Sequence, residues 1–341
     1  MRNTVKFLVA LLVVQILLAA AINLSKEDVA AKAEPVALVT FEQDNIDTIV
    51  LEGPDNEKVK LVKQDGQWVL PEIEQFPANT TKITQLLNKL ASLQVTRPVA
   101  TSSSAQERFK VSTNSFERRI TLSSDGESLA QIYLGTSPGM RLIHARKADS
   151  EQVYAVAMSS YEVPVERANW EDKSLLKIDK SSVASLSVNG ITITRIASED
   201  SEDADDDTSD IDNLTTEPSW QTADLSQNRY LDNDAVNDLL DTLAKFQYES
   251  VLGQEDNPEY GLNEPALSLT VTTDNDDSVS YTIGKQESGS YVVKASSRPE
   301  YFKLASYRAT SLIDASKPET LTPEKETEEN NDDNQQTEDS E

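Results

Sequence analysis

The sequence predicts an α+β protein of two duplicated lobes, each an antiparallel β-rich sheet with one amphipathic packing helix. Three observations predict it. Ile83, Leu86, Leu87, Leu90 and Leu93 stand at i, i+3, i+4, i+7 and i+10, and Val236, Leu239, Leu240, Leu243 and Phe246 repeat that spacing 153 positions later. The same landmarks flank both stripes: Trp68 and Trp220 before them, Phe109 and Tyr260 after them, then Ile132 to Gly135 (IYLG) and Tyr281 to Gly284 (YTIG), then Val153 and Tyr301. Finally, the segments between landmarks alternate apolar and polar residues with period two and are punctuated by turn pairs, as half-buried antiparallel strands are. Two half-chains with one order of elements mark an internal duplication.

Taken in order, Arg2 and Lys6 precede an apolar run of 16 residues from Phe7 to Ile22, broken only by Gln15. A spanning helix needs about 20 residues, with a range of about 17–25. Residues 1–22 therefore read as an N-terminal membrane anchor or, with Ala19 and Ala21 as a cleavage site, a signal peptide. The basic flank keeps the N-terminus cytoplasmic. The expected location is the inner membrane, single-pass, with the bulk periplasmic; the alternative is release into the periplasm after cleavage. Residues 23–40 read as a stalk.

Lobe 1 is assigned to residues 41–177. Ile46 to Glu52, Val59 to Gln64 and Gln67 to Leu70 alternate as strands, and Asp65-Gly66 signals a hairpin. Asn79 or Thr80 can cap a helix from about Thr81 to Leu93. Thr101 to Ala105 is Ser-rich and reads as a loop. Arg118 to Ser123, Leu129 to Gly135, Met140 to Arg146 and Gln152 to Ala157 read as an antiparallel meander with turns at Asp125-Gly126 and Pro138-Gly139. Lobe 2, residues 178–317, repeats the order. Ser185 to Ile196 form a hairpin around Asn189-Gly190, Asp232 or Asn233 caps the second helix, and four later strands close the lobe. One insertion interrupts the match: residues 198–212, with nine carboxylates, stand where the first lobe has only a turn. They and the acidic tail 318–341 have the composition of disordered segments.

The chain has 59 acidic residues against 31 Lys and Arg, a formal charge of -28. That argues against nucleic-acid binding, which needs a basic face, and against docking on anionic lipid beyond the anchor itself. With no cysteine, disulfides, thiolate catalysis, zinc-thiolate sites and a lipidated N-terminal cysteine are excluded.

No catalytic, cofactor-binding or metal-binding residue is assigned. Asp203, Asp205 and Asp207 are spaced like the first ligands of an EF-hand, but Thr208 replaces its glycine and Leu214 its terminal glutamate. His144 is the only histidine. It is expected on one strand face with Leu142 and Arg146, opposite Ile143 and Ala145, and no Gly-x-Ser-x-Gly elbow accompanies it. Ser174 and Lys177 match Ser-x-x-Lys without its companion motifs, so Leu175 and Leu176 read as packing at the junction. Gly284-Lys285 lacks the upstream glycine of a phosphate loop. Trp68 and Trp220, at matching places, read as core rather than sugar platforms.

The Trp-containing hairpin Gly66-Gln67-Trp68, the helix sequence PANTTKITQLLNKLASLQV, the run IYLGTSPGMRLIHARKADSEQVYAV and WEDKSLLKI (Trp170 to Ile178) together resemble the bacterial domain-of-unknown-function 4340 family over roughly residues 40 to 315. The resemblance carries no catalytic residues. It implies an accessory role at the inner membrane beside an ABC transporter of the gliding-motility or auxiliary type. The expected function is a membrane-anchored periplasmic accessory or scaffold protein of an envelope complex, with an ABC-type transporter as partner. The alternatives are a periplasmic glycan- or peptide-binding module and, third, an envelope hydrolase.

Overall fold

The computed structural model describes residues 11–16, 34–196, 218–225 and 228–325. Its contacts divide the chain into two compact units, Met1–Pro71 with Thr80–Asn169, and Glu72–Asn79 with Trp170–Glu341. Both are mostly antiparallel sheet with a few helices, the predicted α+β class.

Through the first unit the chain forms β1 (Val36–Ala37), β2 (Thr48–Glu52), β3 (Lys58–Gln64) and β4 (Gln67–Leu70). Next come β5 (Phe76–Pro77), whose residues count with the second unit, then helix α1 (Thr80–Ser92) and β6 (Gln94–Val95). Helix α2 (Ser103–Arg108), β7 (Arg118–Ser124), β8 (Glu127–Leu134), β9 (Ile143–Lys147) and β10 (Tyr154–Val156) follow. The unit's main sheet has the order β10-β9-β8-β7-β2-β3-β4, antiparallel throughout. The whole α1 stripe, Ile83, Leu86, Leu87, Leu90 and the following Leu93, is buried. A one-sided apolar stripe has this consequence, since its stability comes from covering a sheet rather than from helix propensity.

The second unit contains β11 (Val183–Val188), β12 (Ile191–Arg195), β13 (Trp220–Thr222), α3 (Asn233–Ala244) and β14 (Ser250–Gly253). These are followed by β15 (Leu267–Thr273), β16 (Ser278–Lys285), β17 (Tyr291–Ala295), β18 (Tyr301–Leu304), α4 (Ser306–Ala315) and α5 (Pro318–Leu321). Its sheet order is β13-β12-β11-β15-β16-β17-β18-β14. Reading β11 to β13 as β2 to β4 and β15 to β18 as β7 to β10, the two orders coincide, with β14 added at one edge. The stripe Val236, Leu239, Leu240, Leu243 and Phe246 is again buried.

The repeat extends to single contacts. A Cβ on Gly135 would lie 1.9 Å from the Phe109 carbonyl oxygen, and one on Gly284 2.1 Å from that of Tyr260. Each glycine is obligatory because a strand end meets the chain of its preceding aromatic landmark. Ala100 bridges Val153 in the first unit as Gly253 pairs with Tyr301 in the second.

The expected hairpin turns are present. Asp65-Gly66, Asp125-Gly126 and Asn189-Gly190 all hold both residues at positive φ (49° and 82°, 50° and 82°, 51° and 80°), the conformation that matches strand twist across two residues. Asp232 caps α3, its carboxylate accepting from Ala235 N at 3.1 Å. Asn233 acts elsewhere, its Oδ1 accepting the Trp220 backbone N–H at 2.6 Å.

Three expectations need correction. Thr101 to Ala105 is not all loop: Ser102 caps α2, its hydroxyl accepting from Ala105 N at 3.3 Å, and Ala105 is buried. The tail does not begin at Pro318. Leu321 and Thr322 are buried, Asp232 N donates to the Leu321 carbonyl at 2.9 Å, and Lys325 N to that of Asn228 at 2.9 Å. One leucine with a hydrogen-bonded backbone is enough to hold this segment against α3. The third concerns β9, where Ile143, His144, Ala145 and Arg146 are all buried, so the expected polar face is not a solvated one. The insertion 198–212 lies outside the described residues, as does most of the run Phe7 to Ile22; Leu11 to Ile16 is helical with its side chains exposed. Among the described residues no helix is long and apolar enough to cross a membrane.

Candidate functional site

Strand β9 carries the first unit's unusual chemistry. On most of the sheet burial alternates, as on β2. At β9 a second layer covers the other face: α2 delivers Phe109 and Val111, and these with Phe116, Ala100 and Val153 enclose Tyr133. The polar residues of β9 are roofed over by that layer. A sequence pattern shows alternation along one strand, not what a helix 35 residues upstream will cover, so this burial was not legible.

His144 is 6% exposed and stacked on Phe109, with ring centroids 4.0 Å apart. Its Nδ1 shares a 3.0 Å hydrogen bond with Thr136 Oγ1. Burial, aided by the nearby Arg108 charge, holds the imidazole below its ordinary value of 6.5, against an opposing hydrogen bond to the Thr136 backbone. A stacked, hydrogen-bonded ring whose proton affinity burial lowers is a packed one.

Arg146 is 5% exposed. Its Nε donates to the Val111 carbonyl at 2.6 Å, and its Nη1 to the carbonyls of Lys147 (3.2 Å), Ala148 (3.2 Å) and Ser150 (2.9 Å). The guanidinium lies 4.6 Å from the Tyr133 ring centroid. Burial lowers its affinity for the proton.

A cavity opens near each end of β9. One, of about 530 Å³, lies between the loop Gly135 to Ile143 and the segment Met158 to Tyr161. Ser137 holds this loop by sharing its one hydroxyl proton between the Gly139 and Leu142 carbonyls, each 2.7 Å from Oγ, and Arg141 sits at φ 56°. The opposite wall is fixed by a capping box, in which Ser159 N donates to Glu162 Oε2 at 2.6 Å. Met140 and Tyr161 line this groove and are each 91% exposed. The other cavity, of about 560 Å³, is polar and bordered by Arg146 and the start of α2.

The remaining candidates have structural places. Ser174 is exposed and its hydroxyl donates to Asp172 Oδ1 at 2.6 Å, not to Lys177, while Leu176 is buried. Gly284 packs against the Tyr260 chain and cradles nothing. Trp68 and Trp220 are both core, and the Trp220 indole donates to buried Asn237 at 3.0 Å. Asp203, Asp205 and Asp207 lie outside the described residues, among which no group of carboxylates and histidine is arranged to hold a metal.

A buried ion pair in the second unit went unanticipated. Glu171 is sealed from solvent and accepts from Lys173 Nζ at 2.7 Å and from Val251 N at 3.1 Å. Phe76, Tyr248 and Phe302 pack beside it, Lys173 lying 4.4 Å from the Tyr248 ring. Removing one member of such a pair strands a buried charge, so it fastens β14 rather than offering a reactive group.

Neither a curated protein nor a solved structure matches the chain. A family model does, described as domain of unknown function (DUF4340), over residues 68–265 and again over 220–320. The matches begin at Trp68 and Trp220, the two residues that head the repeated halves. Together they span well over half of the chain, which therefore belongs to the family of the domain of unknown function (DUF4340).

Proposed function

We propose that this protein is a membrane-anchored accessory or scaffold component of an envelope complex, docking its partner through the groove of the first unit. The observation that carries this reading is the pair Met140 and Tyr161, each 91% exposed and lining one groove. Large apolar side chains that share a groove and bury nothing in their own chain are what a partner covers. Methionine and tyrosine are also the residue types enriched at such interfaces. The formal charge of -28 favours a partner with a neutral or basic face. Anchoring rests on Arg2, Lys6 and the run Phe7 to Ile22, and an ABC-type transporter as partner is part of this proposal.

Affinity capture from gently solubilised membranes tests it, comparing the native chain with a Met140→Asp, Tyr161→Asp double variant. Both residues are exposed, so the variant keeps its melting temperature. The reading expects one stoichiometric membrane partner that the variant loses; equal recovery by both proteins overturns the docking surface. A periplasm-dependent reporter fused after Leu321 is expected to be active, and a cytoplasm-dependent one silent.

A further inference from the structure

The repeat supplies an internal control for Arg146. Tyr133 pairs with Arg146 across β8 and β9, and Thr282 pairs with Lys294 across β16 and β17. Since Ile132 to Gly135 correspond to Tyr281 to Gly284, Lys294 is the counterpart of Arg146. The two cations play one structural role. Lys294 Nζ donates to the carbonyls of Arg298 (2.8 Å), Pro299 and Glu300, the turn that follows its strand, as Arg146 donates to Lys147, Ala148 and Ser150. Both lie 4.6 Å from a tyrosine ring, Tyr301 and Tyr133.

They differ in what balances the charge. Lys294 is half-buried and has two acids, Glu300 and Asp256, close enough to raise its proton affinity against burial. Arg146 is 5% exposed, forms no ion pair among the described residues, and only the Tyr133 hydroxyl opposes its desolvation. A buried cation without an anion is costly, and carbonyl dipoles offset only part of that cost. The fork is also not used up: Nε and Nη1 are engaged, while Nη2 has no partner among the described residues. Arg146 borders the 560 Å³ cavity, whose other polar lining includes Thr101, Ser102, Ser103, Gln106, Asp149 and Glu151.

We propose that this cavity is a binding site for a hydroxylated monoanion, a sugar carboxylate, with Arg146 Nη2 as its charged contact. A carboxylate supplies the negative charge that Arg146 lacks and accepts a charge-assisted hydrogen bond. The hydroxyls of Thr101 and Ser103 and the side-chain oxygen of Gln106, whose Nε2 donates to the Glu151 carbonyl at 3.0 Å, match sugar hydroxyls. Asp149 is already paired with Lys147 Nζ at 3.0 Å, so among the described residues Glu151 is the unpaired carboxylate of the lining. It accepts from those hydroxyls and opposes a dianion more strongly than a monoanion, which disfavours phosphate. This site lies outside the docking groove, and the inference does not depend on the docking reading.

Calorimetric titration of the detergent-solubilised full chain with D-glucuronate tests it, in sodium chloride of matched ionic strength. D-glucose, acetate and inorganic phosphate serve as comparison probes. The informative variant is Arg146→Lys, because Lys294 shows that a lysine can hold the carbonyls of this turn. The expectation is saturable one-to-one binding of D-glucuronate, with D-glucose silent and acetate and phosphate weaker. Arg146→Lys should keep the melting temperature and weaken D-glucuronate by about tenfold or more through loss of a charge-assisted contact. Gln106→Ala, on the rim, should weaken it by about threefold to tenfold. No saturable heat from the native chain overturns the site. Equal affinity of native chain and Arg146→Lys leaves Arg146 a turn staple only and also overturns it, and phosphate binding more tightly than D-glucuronate overturns the ligand class.

Discussion

The two units of this chain share a backbone plan and differ in what they bury under it. Sheet order, helix stripe, glycine approach and the cation on the third strand of each meander recur in both. At β9 the first unit buries a histidine and an arginine; at β17 the second has Val292 and Lys294 in those places. What recurs is fixed by backbone geometry, because a helix must cover its sheet and a strand end leaves no room for a Cβ. What diverges is the side-chain content of one roofed face. A fold does not by itself imply function, which lives in particular sites, and the roofed face of β9 is where the two copies differ most in buried polar content.

The severest challenge to the equivalence is truncation in the helix stripes. Leu87→Ala and Leu240→Ala each remove a buried leucine and should cost about 2–5 kcal/mol through lost burial and a residual cavity. Hydrogen exchange resolves where the loss falls, with Leu87→Ala loosening the first unit and Leu240→Ala the second. A neutral Leu240→Ala beside a destabilising Leu87→Ala would break the correspondence of the two helices.

The glycine pair sharpens it. Gly135→Ala and Gly284→Ala push a methyl into a carbonyl oxygen that stands at 1.9 and 2.1 Å from the new atom. Strands must move apart, at a cost of about 1–3 kcal/mol. Denaturant midpoints should fall by similar amounts for the two variants. Tolerance at one site only would mean that the corresponding approach is tight in one unit and loose in the other.

Much of this was legible, and the reason is periodicity. The stripe residues, the Asx-Gly turns and the strands of both meanders are local patterns, set by neighbours a few positions away. The misses depend on distant coverage. Nothing local in His144-Ala145-Arg146 says that Phe109 and Val111 will roof it. Glu171 reads as one acid among 59, yet it is buried against Val251, eighty positions away. Leu321 sits in an acidic context and still packs, because one leucine suffices when its carbonyl also binds the N-cap residue of α3.

Alkaline titration separates the units by a different route. Tyr281 is buried and its hydroxyl donates to the Leu176 carbonyl at 3.2 Å; burial pushes its pKa up to about 12 from an ordinary 10.0. Its counterpart in the first unit is Ile132, which cannot ionise. The folded state binds this proton more tightly than the unfolded chain does. The associated stability is therefore full below pH 10 and is lost as pH rises from 10 toward 12. Hydrogen exchange at increasing pH should show the second unit loosening first, since burial pushes Tyr248 of the same unit up further still, and Tyr281→Phe should blunt that order without abolishing it. Simultaneous loss in both units would remove Tyr281 as the cause.

The smallest effect is expected where the units differ most in length. β3 and β4 are joined by Asp65-Gly66, whereas β12 and β13 flank the segment that contains residues 198–212. The strands on either side pair regardless, Ile193 with Thr222, Thr194 with Gln221 and Arg195 with Trp220. Trp220 is held independently of that segment, by Asn233 at its backbone N–H and Asn237 at its indole. The register of β13 therefore does not depend on the length of the connection. Because closure entropy grows only with the logarithm of loop length, replacing residues 198–212 by a short Gly/Ser link should change stability by about 1 kcal/mol or less. Urea unfolding measures this, with the slope checking that the same surface is exposed. If the intact chain instead gains thermal stability from micromolar Ca²⁺ and the shortened chain does not, Asp203, Asp205 and Asp207 hold an ion despite Thr208 and Leu214. The insertion would then be a second place where the copies differ in chemistry as well as length.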